Sequence, residues 1–140
     1  MMKSTYDAYL EAEVLGADPV TLVHMLYRGA IEAVGNARRH LAQGAIRERS
    51  RQITKAWQII QELTTSLDKE RGGEISRRLQ PLYAYMQTRL LDGNARQADA
   101  PLAEVESLLS TLCEAWEAAK PALPAPPAVQ ADYAPLSCSF

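Results

Sequence analysis

The side chains able to do chemistry are few, and their spacing is poor for it. The 140-residue chain holds two histidines and two cysteines. A di-metal carboxylate centre in a helical bundle uses Glu-x-x-His pairs, because that spacing aims both ligands inward from one helix face. Thr21 stands three residues before His24 and Ala37 three before His40, so neither histidine has such a partner. His24 is expected at the edge of a helix seam, and His40 as a favourable charge near a helix C-terminus. Cys113 falls at a near-core position and Cys138 within the last residues, which is no disulfide framework, so both read as free thiols. No Gly-rich phosphate cradle exists, Gly72-Gly73 being a turn, and a thiol in a core is inert. The expectation is a chain that is not an enzyme, with no catalytic residue, no cofactor and no metal site.

The other possible binding chemistry is electrostatic. Arg38, Arg39, Arg47, Arg49, Arg51 and Lys55 make a basic run, but no aromatics are interleaved to stack bases. A net charge of -2 adds no global attraction to nucleic acid or anionic lipid. The run therefore reads as a solvated face, with Glu104, Glu106, Glu114 and Glu117 as matching charges on a neighbouring helix. Trp57, Trp116, Tyr83, Tyr85 and Met86 read mostly as core. The hydroxyls of Tyr27, Tyr83 and Tyr85 need a polar group or water, which puts some of them at the rim of a groove.

The elements that must position these residues are helical. Apolar residues recur at three- and four-residue spacing almost everywhere before Lys120, and no run alternates with period two. Asp18-Pro19 opens the first long helix as N-cap and N1, and Gly44 closes it. Leu22, Leu26, Ala30, Ala33 and Ala37 form one stripe on it, and Tyr27, Ile31, Val34 and Leu41 a second beside it. So wide an apolar face needs more than one neighbour. The next helix carries Ile46, Ile53, Trp57, Ile60 and Leu67 and should end near Asp68. A third has Ile75, Leu79, Leu82, Met86 and Leu90 in register around Pro81, which predicts a kink or a separate first turn. The last alternates Leu102, Val105, Leu109, Leu112, Trp116 and Ala119 between Pro101 and Pro121. Short turns between long amphipathic helices imply an antiparallel, up-and-down four-helix bundle of all-α class.

Two pieces flank this bundle. Residues 1 to 16 carry Tyr6, Tyr9, Leu10 and Val14 on one face of a short helix that needs a surface to dock on. Residues 17 to 120 form the bundle, and residues 121 to 140, rich in Pro and Ala, read as a disordered tail. The first ten residues have no apolar run resembling a secretory signal, and no stretch reaches the roughly 18 apolar residues of a membrane span. A cytoplasmic location without membrane insertion is expected.

Ser66-Leu67-Asp68-Lys69-Glu70-Arg71-Gly72-Gly73-Glu74-Ile75 followed by Leu82-Tyr83-Ala84-Tyr85-Met86 is similar to the S-L-D-x-x-x-G-G-E-I and L-Y-x-Y-M motifs of the FliS family. Asp18-Pro19 stands at the family's S-P, Met25-Leu26-Tyr27-Arg28-Gly29-Ala30-Ile31 at its M-L-Y-D-G-A-I, and Leu102-x-x-Val105 through Ala115-Trp116 completes the resemblance from about Tyr6 to Trp116. Arg28 replaces an acidic residue, Arg78 a common Asn and Ala84 an Asp, so the polarity of one rim differs. The resemblance implies a flagellin-specific export chaperone. Such a protein binds the disordered C-terminal region of flagellin, prevents its premature polymerisation, and assists delivery to the flagellar export apparatus without ATP. The client is expected on Tyr6, Tyr9, Leu10, Leu22, Met25, Leu26, Tyr27, Ile31, Tyr83 and Met86. The free protein is expected to be monomeric, and the competing reading is a helical adaptor that uses the same apolar face to associate with itself.

Overall fold

A computed structural model of the protein describes residues 4–69 and 73–119. Those residues contain no strand and fold as α1 (Thr5–Val14), α2 (Pro19–Gln43), α3 (Ile46–Lys69), α4 (Gly73–Arg96) and α5 (Asp99–Ala119). The expected all-helical class is observed, while the tail expected over residues 121–140 lies outside the described residues.

Local chemistry sets most of the helix limits. Asp18 accepts from the Thr21 amide at 3.2 Å and Pro19 takes the first helical position, which opens α2 as anticipated. Gly44 closes the helix with φ +70°, a left-handed conformation that any Cβ would disfavour. The start of α1 has a device that the hydrophobic pattern does not reveal. Ser4 accepts from the Asp7 amide at 3.1 Å and its own amide donates to Asp7 Oδ2 at 3.3 Å, a reciprocal capping box. Two prolines fall within helices. Pro81 lies inside a continuous α4, which excludes the separate first turn of the two alternatives expected there. Pro101 stands at the start of α5 as expected, in its first turn, where it is tolerated because the first-turn amides have no intrahelical acceptor.

α2 is the hub. It packs on α1, α3 and α5, while α3 meets α4 and α4 meets α5, so the four long helices close a ring. Cross-links show that successive members run antiparallel. Asn36 of α2 donates to Gln52 of α3, and two turns nearer the start of α2 and the end of α3 Gly29 meets Ile59. Between α3 and α4, Arg49 Nε donates to Asn94 Oδ1 at 2.8 Å and Ser76 Oγ to the Leu67 carbonyl at 3.4 Å. The α2 and α5 pair is tied at one end by Arg38, which clasps Asp99 through Nε and Nη2 and reaches Glu106 through Nη1. The other end is tied by Trp116 Nε1, which donates to the Val20 carbonyl at 3.4 Å. Inside the ring Leu26, Ala30, Val34, Ile53, Ile60, Leu63, Met86, Leu90, Leu102 and Leu109 are fully buried. Where α4 turns into α5 the helices touch at Gly93, whose Cβ, if present, would lie 2.8 Å from Leu102 Cδ2.

The charged residues divide in a way that the sequence did not anticipate. Arg38 pairs with α5 as expected of the basic run, but Arg49 is 4% exposed and belongs to the interior. Its guanidinium is held by the side chain and carbonyl of Asn94. The solvated-face reading is therefore wrong at Arg49, because one turn of α3 rotates it toward α4. Glu104 bonds to Arg89 and Tyr85 of α4 rather than to the basic run, and Glu117 bonds to His24.

Candidate client-binding surface

The client residues expected from the sequence centre on the place where α1 lies across α2 and α3. Tyr6 and Tyr9 stack with ring centroids 5.8 Å apart and planes 9° from parallel. Tyr9 is buried and donates its hydroxyl to Glu62 Oε1 of α3 at 3.4 Å, while Tyr6 is half-buried against the same core. Burial, with Glu13 and Glu62 nearby, pushes the Tyr9 phenol up from its ordinary range. Polar contacts hold the edges of α1. The Thr5 amide donates to Glu32 Oε1 of α2 at 3.0 Å, and Lys55 Nζ of α3 donates to Ser4 Oγ at 3.2 Å. The backbone of α1 passes close to α2 at Gly29, where a Cβ would just reach ordinary contact and anything larger would not fit without a shift. A Cβ on Gly29 would already sit 3.4 Å from the Tyr6 amide nitrogen and 3.5 Å from Ile59 Cδ1. Beside this crossing Thr5, Arg28, Ile31 and Glu32 line a shallow cleft.

The ten residues expected to meet the client fall into three groups. Leu26, Tyr27, Tyr83 and Met86 are core, and Tyr9 is buried beneath α1. Tyr6, Leu22, Met25 and Ile31 are partly buried at the margin of the core. Leu10 is 41% exposed and faces outward, as do Val14 and Leu15 at 85% and 84%. The single apolar face expected for α1 is thus corrected to the Tyr6 and Tyr9 edge. At about 100° per residue, Leu10 and Val14 lie about 100° and 140° around the helix from Tyr9. Tyr6 on α1 and Leu22, Met25 and Ile31 on α2 keep part of their surface open to solvent.

Of the three tyrosines of which some were expected at a groove's rim, Tyr27 and Tyr83 bond to each other inside the core with their oxygens 2.6 Å apart, as the core reading of Tyr83 anticipates. Burial raises the pKa of both phenols. Tyr27 also lies against Trp116 at 6.4 Å in a tilted arrangement. Tyr85 does sit at the surface, where its hydroxyl donates to Glu104 at 2.6 Å. The contacts of Glu32, Lys55 and Glu62 with α1 were missed, since nothing in the spacing of a solvated-looking face marks them as partners of a distant segment.

A family model described as "Flagellar protein FliS" matches residues 2–123. The chain belongs to the FliS family. It is 40% identical over 121 residues to the flagellar secretion chaperone FliS of Salmonella typhimurium, covering 86% of this chain and 90% of that one. It is 36% identical over 116 residues to the flagellar secretion chaperone FliSB of Pseudomonas aeruginosa, covering 83% and 92%. To FliS of Bacillus subtilis it is 31% identical over 118 residues, covering 84% and 87%. The three departures from the FliS motifs all lie at the surface. Arg28 lines the cleft beside α1, Arg78 pairs with Glu74 one turn earlier, and Ala84 is exposed on α4. Among the described residues no helix is long and apolar enough to cross a membrane.

Proposed function

We propose that this protein is a cytosolic flagellar export chaperone. It binds the disordered C-terminal region of flagellin, keeps it from polymerising early, and assists its delivery to the export apparatus. Residues 17 to 120 act as an antiparallel four-helix platform, and residues 1 to 16 as its removable cover. The observation that carries this reading, beside membership of a family of flagellar secretion chaperones, is the way α1 is attached. A ten-residue helix lies over the apolar hub helix on two stacked tyrosines and a few side-chain bonds, with its remaining apolar residues turned to solvent. A helix so short has little stability of its own and is easily exchanged for another amphipathic segment.

Binding buries apolar area and is opposed by the ordering of the client, which typically costs about 2–5 kcal/mol. Holding of this kind requires no ATP and no catalytic group. The test is calorimetric titration of the full chain with a peptide from the last several dozen residues of the host's flagellin. One-to-one binding that changes little with salt is expected, accompanied in sedimentation by a monomer that becomes a heterodimer. Absence of binding, or a free protein already dimeric through the same face, would overturn the reading in favour of a self-associating adaptor. A steep loss of affinity with salt would point to an electrostatic partner instead.

A further inference from the structure

Neither histidine has a metal-binding partner on its own helix, but that argument does not reach across helices. α5 runs antiparallel to α2, and the Trp116 to Val20 bond fixes its C-terminal half beside the start of α2. Cys113 and Glu117 are four residues apart on α5 and so share one face. Opposite them stands His24. One ligand atom from each of His24, Cys113 and Glu117 lies within 4.8 Å of the other two, and His24 Nε2 is in direct contact with Glu117 Oε2. Cys113 is buried, His24 partly buried and Glu117 exposed, so the cluster has a floor in the core and an open side.

We propose that His24, Cys113 and Glu117 form a three-ligand site for a zinc-type divalent cation, with the fourth position open to solvent. One imidazole nitrogen, one sulfur and one carboxylate oxygen make a donor set of borderline softness, suited to zinc and poorly suited to calcium or magnesium. Tetrahedral bonds of about 2.0 Å to nitrogen and oxygen and about 2.3 Å to sulfur place ligand atoms about 3.3–3.5 Å apart. Separations of at most 4.8 Å are within about 1.5 Å of that spacing, and Glu117 and His24 are the more exposed members, on the open side. On binding, the His24 Nε2 to Glu117 hydrogen bond breaks, the imidazole takes the tautomer with its proton on Nδ1, three metal–ligand bonds form, and the thiol proton leaves to solvent. Thiolate and carboxylate then balance the charge of the cation. The Arg28 charge lies near the Cys113 thiol on an exposed side chain, which must swing outward for the cation to enter. The ion would pin α5 to the first half of α2, next to Leu22 and Met25.

The test uses the full chain without a tag, reduced and carrying Cys138→Ser so that Cys113 is the one thiol. Cobalt(II) alone is titrated first, then zinc as competitor. The expected result is near-ultraviolet thiolate-to-cobalt charge-transfer absorption that saturates at one equivalent, disappears on adding zinc, and is absent in Cys113→Ser. Because Cys113→Ser also touches the core, the decision rests on His24→Ala and Glu117→Gln, which lie toward the surface. Each should weaken zinc binding by more than about tenfold, the lower end of what losing even an outer partner costs a metal site. Parental cobalt spectra and zinc affinity in both variants would overturn the site, and so would the absence of charge-transfer absorption in the parent.

Discussion

Tyr27 and Tyr83 show how much one buried polar contact can decide. Each phenol is surrounded by core side chains, and each hydroxyl is satisfied by the other at 2.6 Å. Removing one oxygen should therefore cost more than removing both. Tyr83→Phe strands the Tyr27 hydroxyl and is expected to lower stability by about 1–3 kcal/mol, whereas the double Phe variant should recover much of that loss. Urea denaturation of the two single variants and the double variant gives the coupling directly. Additive losses would mean that the hydroxyls do not depend on each other. The same pair sets an alkaline limit. A phenol whose pKa is raised in the folded state keeps its proton there while the unfolded chain loses it above about 10. Stability is thus fully present below about pH 10 and declines as pH rises beyond it. The parent should show that decline in its melting temperature, and the double Phe variant a shallower one. Arg49 makes the same point for charge. Arg49→Ala removes the bond to Asn94 from a nearly closed site and is expected to cost about 1.5–3 kcal/mol. Arg51→Ala, on an exposed position of the same helix, should stay within about 0.5 kcal/mol. Equal effects of the two substitutions would return Arg49 to the solvated face.

Among the elements, α1 has the weakest hold. Full burial of a large side chain contributes roughly 1.5–3 kcal/mol, and ordering the backbone costs about 1–2 kcal/mol per residue. With Tyr9 buried, Tyr6 half-buried, and Leu10 and Val14 outside, the balance is thinner than a four-residue apolar face would have given. The capping box and the bonds to Glu32 and Lys55 help to hold it. Amide exchange over residues 5–14 should accordingly be intermediate in the free protein and faster once the flagellin peptide is bound. Slower exchange in the complex would make α1 a clamp and rule out a cover. If α2 is the face that α1 vacates, Leu22→Asp or Ile31→Asp should weaken capture of the peptide far more than Arg51→Ala does, measured by titration at fixed salt. The reverse ranking would favour an electrostatic mode. What could be read in advance at this scale follows the range of each interaction. Asp18, Pro19 and Gly44 act on their own helix ends, so α2 was legible almost residue by residue. Which flank of α1 would face inward depended on the crossing at Gly29, and a sequence pattern carries no record of that crossing.

For the whole molecule the informative contacts join residues far apart in the chain. Periodicity tells which face of each helix is apolar but not which helix will cover it. His24 with Glu117, Tyr27 with Tyr83, and Arg49 with Asn94 were therefore invisible, although each residue could be placed on a helix. The motifs, by contrast, identify the family by residue identity rather than by contacts: Asp18-Pro19 stands at a cap, while Met25–Ile31, Leu82–Met86 and Leu102–Val105 lie inside helices. The closed ring of α2, α3, α4 and α5 has a consequence for stability. Every helix shares core residues with two neighbours in the ring, so none can leave without exposing Leu26, Ile60, Leu90 or Leu109. A structure coupled in this way should unfold in one cooperative step. The two tryptophans test it from different helices, since Trp57 belongs to α3 while Trp116 lies on α5 against Tyr27. In Trp57→Phe the fluorescence reports α5, and in Trp116→Phe it reports α3. Urea transitions followed by each remaining tryptophan should coincide with the loss of helical circular dichroism in the same variant. A fluorescence transition of Trp116 that precedes the loss of helix would show α5 detaching first, and the ring would then be two cooperative units rather than one.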